Sequence, residues 1–279
     1  MPATLQCINF DKKKYFFIEK IYLFKGTGKK AGICRGIIVP DGKPKLIIPL
    51  QAEEAGFTFM QEAFSLETDK FIITGILLKS IELFYTGSLI AVVIVLHPHC
   101  LLFSVFSMHK KHINAISFSD EFSGKRFSDI FSLLQHNISR VHKAVINVVD
   151  VLFAGAHPEE AAKLSIIFCA VSVIAEKKGC ISISELSSLC CCTKRYMAML
   201  FRKHFLISPK KYCSVIKFYE AYSIIIKNSK NDRTKNQFLD YYYDQSHFIR
   251  TCRHFTNVSP VRLIDKKSLL SVRISHSGR

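Results

Sequence analysis

A chain of 279 residues with 49% hydrophobic content can bury a real core, which excludes wholesale disorder, and its length suits about two domains. The net charge of +17 favours polyanionic partners, and it is unevenly placed. Residues 1–162 hold 18 Lys and Arg against 15 Asp and Glu, whereas residues 163–279 hold 21 against 7, the distribution expected where one domain meets phosphate.

The start, MPATLQCINFDKKKYFF, lacks the charged-then-apolar pattern of an export signal, so the ten cysteines read as reduced thiols in a cytoplasmic protein. Six segments rich in Ile, Val, Phe and Tyr then read as strands: 15–24, 33–39, 45–50, 71–78, 81–85 and 89–96. GTGKKAG and PDGKP supply turns between them, and the spacing suggests an antiparallel sandwich or small barrel. Its apolar strands permit a hydrophobic ligand pocket or an ordinary core. The most apolar run, LIAVVIVLHPHCLLFSVF (89–106), is interrupted by His97, Pro98 and His99. It is too broken for a membrane helix and reads as a buried strand, or as two strands turning at 97–99.

The period changes near 127. Ile130, Leu133, Leu134, Ile138 and Val141 have helical spacing within 127–149. Residues 155–179 form a punctuated helix, with Pro158 in its first turn, Glu159 and Glu160 at its positive end, Lys177 and Lys178 at its negative end, and Gly179 to stop it. The domain boundary is placed there. Short helices follow. Ser182 and Glu185 have capping-box spacing, Thr193 can cap a helix, and Ser208-Pro209 and Ser259-Pro260 each pair an N-cap with a proline at the first helical position.

An internal repeat at a 51-residue offset sets RYMAMLFRKHFLISP (195–209) over SHFIRTCRHFTNVSP (246–260). Arg202 falls on Arg253, Met197 on Phe248, Phe201 on Cys252, and Ser-Pro on Ser-Pro. Each copy is a short helix, a turn and a basic helix, which is the logic of helix-turn-helix.

On these residues the C-terminal part, 160–265, resembles the DNA-binding domain of AraC/XylS-family transcriptional regulators. ISELSSLCCCTKRYMAMLFRKHF with SPKKY is similar to the family's first unit, and YYDQSHFIR with FTNVSP to its second. RGIIVPDGKPKLIIPL and GILLKSIELFYTGSLIAVVIVLHPH resemble strands of its sensor domain. The resemblance implies an α+β chain: a strand-rich, cupin-like sensor or dimerisation domain over 1–156, an all-α domain with two helix-turn-helix units over 157–267, and a basic tail over 268–279. It implies a sequence-specific regulator, an activator, inserting recognition helices of about 194–204 and 245–255 into adjacent major grooves. The implied partners are double-stranded DNA, RNA polymerase, a second copy through the N-terminal domain and a small-molecule effector. No cofactor, metal, membrane or catalysed reaction is expected.

The resemblance places Lys194, Arg195, Ala198 and Met199 of the first unit, and Gln245, Ser246, Ile249 and Arg250 of the second, toward bases. Arg can fork onto guanine and Gln onto adenine. Arg202 and Lys203, with Arg195, are assigned to anchoring, Arg253 and His254 to backbone phosphate or solvent, and His247 joins the DNA-binding set. Phe248 and Phe255 suit the buried face. Asp244 is the expected N-cap of the second reading helix, and 209–228 the helix that joins the units.

This chain departs from the family where Leu206, Asn257 and Tyr241 stand in place of glycine. Asn tolerates a left-handed backbone, whereas at Leu206 the turn must differ or be strained. The polar stretch 231–237 replaces the usual supporting helix. These departures motivate an alternative, a degenerate member acting by protein–protein interaction with another regulator. A further alternative is a metal enzyme using cysteines or His97 and His99. Against it, LCCCTKR (189–195) has no C-x-x-C pair and reads as small thiols filling a helix and turn, with redox sensing beside Lys194 and Arg195 as the sharper reading.

Overall fold

The computed structural model describes residues 3–13, 15–27, 32–102, 116–118, 145–146, 150, 165–228 and 241–265. The strand-rich part contains β1 (Thr4–Ile8), β2 (Ile18–Thr27), β3 (Cys34–Ile38), β4 (Lys45–Ala52), β5 (Ala55–Phe59), β6 (Glu62–Ser65), β7 (Ile72–Thr74), β8 (Ile81–Tyr85), β9 (Ser88–Leu96) and β10 (Ile116–Phe118). They pair antiparallel in two sheets, ordered β1-β2-β9-β4-β7-β10 and β3-β8-β5-β6. Each of the six expected segments holds a strand, as β2, β3, β4, β7, β8 and β9, but the one expected over 71–78 is confined to Ile72–Thr74. β9 ends at Leu96, and Pro98–Leu102 forms a 3₁₀ turn.

Strand register explains why β2 and β9 read as almost unbroken apolar runs. Ile21 pairs with Ile94 and Leu23 with Val92, and these four share one core. Tyr22 pairs with Val93 and Phe24 with Ala91, and Tyr22, Phe24 and Val93 belong to a second core with Phe57, Leu83 and Tyr85 of the smaller sheet. The larger sheet is thus covered on both faces, so both sets of alternating positions must be apolar. The cavity between the sheets is only about 50 Å³. That is room for a few waters, and the apolar side chains around it belong to the core between the sheets.

The other face of the larger sheet meets helices. These are α1 (Ser165–Glu176), α2 (Ile183–Leu189), α3 (Lys194–Phe205), α4 (Pro209–Asn228), α5 (Gln245–Thr256) and α6 (Pro260–Asp265). α1 buries Ile167, Ala170, Val171 and Ile174 in the same core as Ile21, Ile48 and Ile94. Each of its large side chains contributes about 1.5–3 kcal/mol by leaving water. Gly179 ends this segment at φ +73°, its N–H donating to the Ile174 carbonyl at 2.8 Å. A Cβ there would also collide with the backbone of α4 at Cys213 and Lys217, so glycine is needed for both reasons.

The helix expected over 127–149 lies almost wholly outside the described residues; 145, 146 and 150 are helical, and Val145 is fully buried. Residues 155–164 with the expected boundary, the stretch 231–237 and the tail 268–279 also lie outside them.

Candidate nucleic-acid interface

The first unit is α2, a turn and α3. Ser182 caps α2, its Oγ accepting from the Glu185 N–H at 3.1 Å. Cys190 to Cys192 make the turn, with Cys191 at φ +50°. Thr193 caps α3 by accepting from the Tyr196 N–H at 3.2 Å. α3 buries Met197, Leu200, Phe201, His204 and Phe205. That leaves Lys194, Arg195, Met199, Arg202 and Lys203 exposed, with Ala198 half-buried. Positions 195, 198, 199 and 202 follow helical spacing, so they form one outward stripe.

The second unit repeats this geometry. Asp244 caps α5, Oδ1 accepting from the His247 N–H at 2.6 Å. Phe248, Cys252, Phe255 and Thr256 are buried. Gln245, Ser246, His247, Arg250 and Arg253 are exposed and Ile249 is half-buried. Every residue assigned to DNA from sequence therefore keeps accessible surface, while the buried residues on the opposite face of each helix fix it on the core. The ring of His247 stands edge-on to Tyr242, with centroids 5.2 Å apart.

Between the units runs α4, whose bounds match the expected 209–228. Ser208 starts it, Oγ accepting from the Lys211 N–H at 3.2 Å. Its buried Tyr212, Val215, Ile216, Phe218, Tyr219 and Tyr222 span two cores, one under each unit. Twenty helical residues cover about 30 Å. That approaches the roughly 34 Å between successive major grooves on one DNA face.

Both reading helices close in the same way. Leu206 has φ 50°, ψ 11° and donates to the Arg202 carbonyl; Asn257 has φ 58°, ψ 7° and donates to that of Arg253. The turn at Leu206 is therefore the usual left-handed one, and the strain is real. The Leu206 side chain is 49% exposed, so truncation loses little packing. Leu206→Gly is expected to stabilise the chain by about 1 kcal/mol, and Asn257→Gly by a few tenths at most. Denaturant midpoints of the two variants check this; equal effects would show that the backbone is not the cause. Tyr241 is a different case. Its φ is not left-handed, and its ring is buried with Tyr242, Phe248 and Phe255. Tyr242 also carries Lys217 over its face, 5.0 Å from the ring centre. Aromatic burial thus supports the second unit where glycine is usual.

Sequence reasoning missed the contact that fixes the end of α5. The Ser80 N–H donates to the Phe255 carbonyl at 2.8 Å, and Ser80 Oγ to the Thr256 carbonyl at 3.3 Å. The Lys79 ammonium donates to the His254 carbonyl. A loop of the strand-rich part thereby satisfies carbonyls that a helix end leaves unpaired. The partners lie about 175 positions apart in sequence, so no local signal could have announced them.

A cleft of about 690 Å³ opens between the larger sheet and the helices. Lys12, Phe16, His97, His99, Tyr212 and Ile216 are among its walls. His99 stacks on Phe168 at 3.9 Å, and its Nε2 is buried without a hydrogen-bond partner. Burial, and then His97, push His99 down to about 4 against a backbone hydrogen bond with Phe168. Among the described residues no three His, Cys, Asp or Glu side chains gather as a metal site, and no helix is long and apolar enough to cross a membrane. Burial also pushes the thiols of Cys190, to about 12, and of Cys192 upward. That is opposite to what a sensing thiol activated by Lys194 and Arg195 requires.

No protein-family model and no curated protein sequence matches this chain. Solved structures do. ToxT from Vibrio cholerae O395 is 8% identical, with 90% of this chain and 98% of that chain aligned at a TM-score of 0.50. Unsaturated fatty acid bound wild-type ToxT from Vibrio cholerae strain SCE256 is 7% identical, with 90% and 96% aligned at 0.51. The AraC-like transcriptional activator CuxR is a more distant match, 10% identical over 72% of this chain and 80% of that chain, at 0.29. The chain has the α+β fold of ToxT, over nearly the whole length of both proteins.

Proposed function

We propose that the chain is a DNA-binding transcription regulator of the AraC/XylS type, with α3 and α5 as its reading helices. One observation carries this reading. Two capped helices with the same buried pattern each turn a basic stripe outward, and a 20-residue helix joins the two units. The likeness to ToxT agrees with it in fold.

ToxT binds an unsaturated fatty acid in one of these structures. The cleft here suits an effector of similar chemistry. Phe16, Val171, Tyr212 and Ile216 would cover an apolar body, while Lys12 would take a carboxylate. The cleft lies between the sheet and α1 and α4, so a bound molecule would bear on the helix that spaces the two units.

The test is a titration of a labelled duplex with the full chain at several salt concentrations, without and with oleate. Binding should fall with salt, the slope on logarithmic axes reporting about 0.9 per phosphate neutralised. Oleate at saturation should shift the binding curve. Absence of salt-dependent binding refutes the regulator reading; a curve that ignores oleate refutes the effector class alone.

A further inference from the structure

A concavity of about 290 Å³ lies against α5, walled by Lys211, Ser214, Arg250, Thr251, His254 and Phe255. The Lys211 ammonium stands 3.4 Å from His254 Nε2, and the Lys79 ammonium reaches the carbonyl of the same histidine. The first turn of α4 and the last turns of α5 thus line the concavity with cations, and the loop before β8 sets Lys79 beside it, on the His254 carbonyl. None of the ion pairs among the described residues includes Lys79, Lys211, Arg250 or His254. His254 is held below its usual value by partial burial and then by Lys79 and Lys211, so the cations oppose one another. Neither hydroxyl in the wall is free to donate, since Ser214 Oγ already bonds the Lys210 carbonyl and Thr251 Oγ1 that of His247. The site offers cationic donors with no carboxylate among them, which suits a group with several negative oxygens.

We propose that this concavity seats a backbone phosphate of the DNA that α5 reads, and that Lys79 gives the strand-rich domain a direct hold on the duplex. The proposal rests on the DNA-binding reading above. Arg250 forms the wall on the reading side, where a base edge and its own phosphate lie within reach of one helix. Lys211 and Lys79 neutralise that phosphate, and the His254 ring lines the seat between them. An N-terminal domain with this contact contributes to affinity without adding sequence preference, and it couples the domain seam to DNA occupancy.

The experiment compares full-length wild type, Lys79→Gln and Lys79→Arg on a labelled duplex of arbitrary sequence at several salt concentrations. Glutamine removes the charge, and the Ser80 bonds to the Phe255 and Thr256 carbonyls still hold the end of α5. The expected result is a several-fold weaker complex for Lys79→Gln at low salt, with the salt slope smaller by about 0.9, and a slope restored by Lys79→Arg. A slope unchanged in Lys79→Gln overturns the phosphate seat and leaves Lys79 as a cap. Tighter binding by Lys79→Gln also overturns it, showing that the loop obstructs DNA. A wild type that binds no duplex takes this proposal down together with the reading beneath it.

Discussion

Arg250→Ala is expected to lower the preference for a selected operator over a scrambled duplex by about 10- to 100-fold, roughly 1–3 kcal/mol. The side chain is exposed on α5, one turn from Ser246 on the same stripe. Its helix cannot roll, because Phe248 and Phe255 are each 2% exposed and Phe255 stacks on Phe218 of α4 with centroids 5.0 Å apart. A guanidinium held on a fixed helix can fork onto a guanine, and a wrong base leaves that fork unpaired. Lys203→Ala on α3 should behave otherwise. It stands near the carbonyl end of its helix, where a cation also suits the helix dipole, and it meets phosphate in this reading. Its loss should weaken operator and scrambled duplex alike and lower the salt slope by about one. Paired titrations on an operator recovered by selection from random duplex measure both ratios. Operator preference that survives Arg250→Ala would move base reading to Gln245, Ser246 and His247.

The helical half was legible because its signals are local. Ser182, Thr193, Ser208, Asp244 and Ser259 each announce a helix within three residues, and each hydroxyl or carboxylate accepts the expected N–H. The repeat then fixed which faces are buried, since Met197 and Phe248, and Phe201 and Cys252, occupy equivalent core positions. What escaped was long-range or lacked its usual residue. The β5–β6 hairpin turns through Met60 and Gln61, both at positive φ, where Asn-Gly would have signalled it. β1 pairs on the edge of the larger sheet with largely exposed side chains, so it carries no apolar run to notice. The Ser80 contact with α5 depends on how two distant segments meet, and no spacing encodes that. Leu206 shows the limit from the other side. Its sequence signalled a conflict between residue and backbone, and the structure resolves it as left-handed strain instead of a different turn.

Asp41→Ala should destabilise the folded chain by about 3–5 kcal/mol, the largest single effect expected here. Asp41 and Lys45 are 7% and 4% exposed, and Lys45 Nζ lies 2.6 Å from Asp41 Oδ1. The ammonium also donates to the Lys43 carbonyl at 3.1 Å, while its stem lines the apolar space between the sheets with Phe57, Ile72 and Leu83. Without Asp41 the charge has no counter-ion and little water, so it must remain uncompensated or lose its proton on folding. The double variant Asp41→Leu with Lys45→Met should recover most of the loss, because both desolvation costs vanish together. Asp41 Oδ1 also accepts from the Lys43 N–H at 3.1 Å, which holds the turn containing Gly42. Gly42 sits at φ +72° against α4, where an added Cβ would come within 2.5 Å of the end of the Ile216 side chain. The turn is thus a close bearing between the strand-rich part and the helix that spaces the two reading units. Denaturant unfolding of the single and double variants measures the pair, and a cost near 1 kcal/mol or less for Asp41→Ala would mean that water reaches it as it does a surface ion pair. If the bearing matters for DNA, the double variant should regain stability yet bind a duplex more weakly than wild type, since leucine cannot accept the bond that shapes the turn.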